Sequence, residues 1–130
     1  MTQNENPRDE IEIELGGATY RVRPTFKIIS AIEMATNQGC TALGAKFLQQ
    51  QGSLTEMAAI LFHVLRHEKN APTQEEIQEM VFEDGMMDLI VPIAGLLTRS
   101  LRGNKAYIDT LDKPDENKTT KKPQRGTALN

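Results

Sequence analysis

The sequence predicts a mostly helical α+β fold: an N-terminal β-hairpin followed by a small bundle of about five helices. Three observations predict it. Residues 10–23 alternate apolar and charged positions on either side of Gly16-Gly17, the period of two strands joined by a tight turn. After Pro24 the apolar positions recur three and four apart, in segments divided by Gly, Pro and two Ser/Thr-x-x-Glu boxes, the punctuation of short helices. The third is Gly85–Leu101, GMMDLIVPIAGLLTRSL, the most apolar stretch of the chain. A length of 130 residues favours one domain, placed at 10–103. Residues 1–9 and 104–130 are polar and are expected to be a disordered N-terminus and a flexible tail.

The hairpin has a checkable register. A two-residue loop at Gly16-Gly17 pairs Leu15 with Ala18, Ile13 with Tyr20 and Ile11 with Val22 on one face. On the other face it pairs Glu12 with Arg21 and Glu10 with Arg23. Apolar residues meet apolar ones and acids meet bases. A lone hairpin is marginal in water, so the face of Ile11, Ile13, Tyr20 and Val22 must lie on helices or join another chain.

Pro24 stops the second strand and Thr25 is placed to cap a helix from Phe26 to Thr36, with Phe26, Ile29, Ile32 and Ala35 inward. A second helix fits Thr41–Gln51. Ser53-Leu-Thr-Glu56 is a capping box that opens a third, from Leu54 to about Glu68. Thr73-Gln-Glu-Glu76 opens a fourth, with Ile77, Met80 and Val81 inward. The fifth, in the 85–101 stretch, is apolar nearly all round and is expected to be buried. Pro92 either kinks it near Asp88 or delays its regular part to about Val91. Gly103-Asn104 is its expected stop.

Composition excludes several functions. The apolar run Leu89–Leu97 would span roughly 14 Å at 1.5 Å per residue, against the ~30 Å core of a bilayer, so no membrane partner is expected. Residues 1–102 carry nine Lys/Arg against fourteen Asp/Glu; that acidic body disfavours nucleic acid. One cysteine, Cys40, permits neither an internal disulfide nor a Cys-rich metal site. There is no secretory h-region near the N-terminus, and the expected location is the cytoplasm.

No polar constellation suggests chemistry. His63 and His67 have metal-ligand spacing on a helix, but no HEXXH motif accompanies them; His63 is expected on the solvated side with Glu56 and Arg66. Cys40 lacks a base to activate it. Glu33, between Ile32 and Met34, is expected to be plainly solvated before it is expected to cap a neighbouring helix or to pair with Lys27 or Arg99. Asp88 is its one candidate partner for acid–base work. Met57, Met80, Met86 and Met87 fit core packing better than an adaptable binding surface. No cofactor, metal or catalytic residue is expected.

The order of elements through IELGGATYRVRPTFKIISAIEMATNQGCTAL (Ile13–Leu43), SLTEMAAILFHVLRH (Ser53–His67), the Thr73–Glu83 helix and the closing Leu/Ile/Pro helix resembles the siphophage tail assembly chaperones of the gene-transfer-agent type. That resemblance implies a non-enzymatic chaperone in the bacterial host cytoplasm. It would bind the tape-measure protein and help recruit tail tube protein. It implies contacts on the third and fifth helices, at Phe62, Met86, Met87 and Leu96, and homo-oligomerisation through the hairpin edges at Ile11, Ile13, Tyr20 and Val22. The alternatives are a structural tail-completion or tube-associated virion protein, and a small helical DNA-binding regulator. Against the last, the would-be recognition helix Gln74–Glu83 carries four Glu and no Lys or Arg.

Overall fold

The computed structural model describes residues 10–101 and 103. The expected disorder of 1–9 and the tail from 104 onward lie outside the described residues. Strands β1 (Ile11–Leu15) and β2 (Ala18–Val22) are followed by helices α1 (Phe26–Thr36), α2 (Cys40–Leu48), α3 (Leu54–Leu65), α4 (Gln74–Asp84) and α5 (Met87–Thr98). A 3₁₀ turn, Arg99–Leu101, continues α5.

The hairpin has the predicted register, from Ile11 opposite Val22 to Leu15 opposite Ala18. Both turn glycines have positive φ, +61° at Gly16 and +83° at Gly17, the requirement of a type I′ turn. Ile11, Ile13, Leu15 and Val22 are buried and Tyr20 is half-buried. Ala18 is exposed at the turn, and the Glu10–Arg23 pair falls beyond the ladder. Strand β1 packs on α5 and β2 on α3, so the hairpin ties the two halves of the bundle together.

Each helix boundary has a local cause. Thr25 Oγ1 accepts from Ile28 N to start α1, and Asn37 in the left-handed region ends it. The inward stripe of α1 is Ile28, Ile29 and Ile32. Phe26, expected inward, is 87% exposed, because it lies about 120° round the helix from Ile32. Ala35 is exposed as well.

Helix α2 begins one residue before the predicted start and ends three before the predicted end. Gln50 takes φ +61°, while Gln51 N donates to Lys46 O and Gln50 N to Phe47 O. That is a Schellman ending with glutamine in the place glycine usually takes, which is why the sequence does not signal it. Both capping boxes form, Ser53–Glu56 on α3 and Thr73–Glu76 on α4. Helix α3 stops at Leu65, short of the expected Glu68.

Helix α5 runs unbroken through Pro92 from Met87, so its regular part is not delayed to Val91. Gly103 has φ +95° and donates to Arg99 O at 2.9 Å, which agrees with its reading as a stop. The expected all-round burial of α5 does not hold. Leu89, Ile93, Ala94, Leu96 and Leu97 are buried, but Met87 is 81% and Val91 73% exposed. Val91 is two residues from both Leu89 and Ile93, about 200° away on a helix of 3.6 residues per turn. Helix α5 packs chiefly on α2 and β1, while α3 packs on α4, α1 and β2.

Candidate functional site

Among the polar residues singled out in the sequence, Glu33 and Glu56 hold helices together. Glu33 reaches from α1 and its carboxylate accepts from Cys40 N at 2.8 Å. Gly39, the N-cap of α2, has no side chain to do this. An acid from a neighbouring helix therefore caps α2 and complements its dipole. Cys40 is buried beside it, and Asp88 is exposed on α5.

Glu56, expected on the solvated side, is the centre of a clasp that joins α3 to α2 and to the α1–α2 loop. Its side chain is 17% exposed. One carboxylate oxygen accepts from Lys46 Nζ at 2.7 Å and Gln38 Nε2 at 2.6 Å; the other accepts from Ser53 N at 2.9 Å. Burial pushes the Glu56 pKa up, but the bonds from Lys46, Ser53 and Gln38 outweigh it and hold the group at about 2. A depressed carboxylate pKa stabilises the fold above the unfolded value, about 4.5, and that contribution is lost as the pH falls toward 2. Glu56→Gln is expected to cost about 1 kcal/mol at pH 7, the scale of a partly exposed ion pair. Urea unfolding between pH 7 and 2 should show a shallower acid limb for the variant than for the wild type.

His63 is half-buried rather than solvated. Its ring meets Phe62 edge-on at 5.2 Å. Burial, and then the charge of Arg66, lower its pKa. Helix α3 ends before His67, so the pair does not share a helical face. Among the described residues no group of three or more His, Cys, Asp or Glu is placed to hold a metal, and no helix is long and apolar enough to cross a membrane.

What the surface does offer is apolar. Phe26, Met34, Phe82, Met87 and Val91 are each at least 69% exposed. A groove of about 370 Å³ runs beside Phe26 and Ile29, with Leu96 in its floor and Glu33 and Arg99 at its sides. The four predicted contacts are dispersed. Leu96 is 1% exposed and belongs to the core. Phe62 is half-buried, with the Arg66 guanidinium 5.4 Å from its ring. Met86 is half-buried at the start of α5, and Met87 is fully presented. Helices α3 and α5 pack mainly on other elements, so the four residues do not form one joint surface. Phe82 and Val91 are exposed apolar residues that the list of expected contacts does not include. Their signal is present, for both lie off the apolar stripes of their helices.

Among the described residues the sheet has two strands, so each has an outer edge without a sheet partner there. Ile11, Ile13 and Val22 point inward; self-association at an edge would run through backbone groups, with Tyr20 alongside.

The described residues form a small, mostly helical fold whose surface carries exposed apolar residues and strand edges without a sheet partner among those residues. Residues 8–103 match the model of the family described as phage tail tube protein, GTA-gp10. The chain belongs to that family, and it is a phage tail-related protein. No curated protein and no solved structure matches it.

Proposed function

We propose that this chain is a tube-associated protein of a phage tail, which acts without catalysis through its exposed apolar faces on other tail proteins. The observation that carries this reading is the family match across the hairpin and all five helices. The exposed Phe82, Met87 and Val91 support it as contact residues. A second reading is the tail assembly chaperone, which binds the tape-measure protein in the host cytoplasm and leaves before the tail is complete. The acidic surroundings of the α5 face favour it, because they would keep a chain with exposed apolar residues soluble on its own.

Mass spectrometry of purified particles separates the two. A tube-associated protein is retained in mature tails at a fixed ratio to the tube subunit. A chaperone is absent from them, yet co-purifies with the tape-measure protein on co-expression and keeps it soluble. A chain found in neither place overturns both readings.

A further inference from the structure

We infer that the outer face of α5, with the end of α4, is a docking site for an amphipathic helix of another protein whose apolar stripe is flanked by lysine and arginine. This rests on the reading that the chain works by contact with other tail proteins, and it adds the site and the chemistry of the partner.

Met87 and Val91 are four residues apart in α5 and hence neighbours on one face. They are 81% and 73% exposed. Gly95 follows at the same spacing, and a Cβ built there meets nothing within 4 Å. The row therefore ends in a shallow place where a second helix can approach the backbone closely. Phe82, 69% exposed, stands five residues before Met87 across the Gly85 break.

The exposed charges that lead into this row are acidic. Glu83, Asp84 and Asp88 are all on exposed residues, and there is no Lys, Arg or His between them and Thr98; Arg99, which follows Gly95 at the same spacing, is buried. Glu75, Glu76 and Glu79 lie further off, beside the hairpin turn. Asp88 is three residues before Val91, the spacing of surface neighbours. A second copy is a poor occupant, since a two-fold contact sets the same patch against itself and opposes carboxylates to carboxylates. A helix with basic flanks satisfies the row and its rim together.

The test uses two synthetic 21-residue helical peptides with the same Leu/Ala stripe, one flanked by Lys and Arg and the other by Glu. Each is titrated against the full chain by fluorescence anisotropy. The basic peptide is expected to bind at least tenfold more tightly, and to weaken as salt is raised. Val91→Gln and Gly95→Leu should each reduce its affinity at least tenfold with an unchanged circular dichroism spectrum, because Val91 is exposed and a Cβ at Gly95 meets nothing within 4 Å. Asp84→Asn with Asp88→Asn should erase the preference between the peptides. Equal binding of the two peptides, or wild-type affinity in the Val91 and Gly95 variants, overturns the proposal. So does a homodimer in sedimentation that Val91→Gln dissociates, which would give the face to a second copy. If the chain is found in particles or with the tape-measure protein while the peptide fails, the docking site falls and the tail reading stands. If the basic peptide binds but the chain associates with no tail protein, the tail reading falls and the docking site stands.

Discussion

Phe47→Ala is expected to destabilise the chain by about 3–5 kcal/mol, the range for a buried aromatic truncated in a core. Phe47 is fully buried at the C-terminal end of α2. Its ring is seated against the backbone at Gly52, so closely that a Cβ added there would lie 2.2 Å from Cε1. The link from α2 to α3 thus passes directly over the ring, and the space left by alanine is bounded by main chain that collapses poorly. Small domains have about 5–15 kcal/mol in total, so this one change removes a large part of it. Urea unfolding gives the number, and Phe47→Leu, which refills most of the volume, should recover more than half of the loss.

Gly44→Val should also destabilise the chain, by the opposite route and by a smaller amount. Gly44 is buried where α2 crosses α5. A Cβ there would meet Thr98 Cγ2 at 2.7 Å, Leu97 Cβ at 3.2 Å and the Ala94 carbonyl oxygen at 3.3 Å. One of these is backbone, so the helices must separate. Overpacking costs about 1–3 kcal/mol, and valine's poor helix propensity does not offset it. Thr98→Ser removes the nearest methyl and should restore part of the stability of Gly44→Ala in a double-mutant cycle. Gly95→Ala gives the contrast. Its Cβ enters open space, and the helix should gain roughly 0.5–1 kcal/mol.

The hairpin is fully legible in the sequence because its two faces and its turn impose the same register independently. Helices α1, α3 and α4 are legible at their starts, where a Thr or Ser side chain marks the cap. The ends of α2 and α3 are not. Gln50 at φ +61° has no signature in residue type, since the chain's long-range packing holds it there. The roles of Glu56 and Glu33 depend on which helices come to lie beside them, a matter that periodicity within one segment cannot express. For Glu33 the sequence leaves a helix cap, an ion pair and plain solvation open; the structure shows the cap. The exposed apolar residues are half legible. Met87 is exposed, against the core packing expected of the methionines, while Leu96 shares the buried stripe with Leu89 and Ile93. The apolar content of α5 points to the core and hides a second, outward row, because composition alone does not say which apolar residues face which way.

The borrowed cap on α2 has a consequence for the order in which the chain folds. Helices α3 and α4 carry their own capping boxes, so their first turns can form from local residues. Helix α2 has nine residues, a glycine at its N-cap and no acid in its first turn. A helix that short is unstable by itself, and its first amide is satisfied only once α1 has arrived with Glu33. The expected order is that α2 forms on docking of α1, and that the α2–α5 half of the core closes after the α3–α4 half. Glu33→Ala should then speed amide exchange across Cys40–Leu43 while that of α3 stays at the wild-type rate; equal acceleration in both helices would contradict this order.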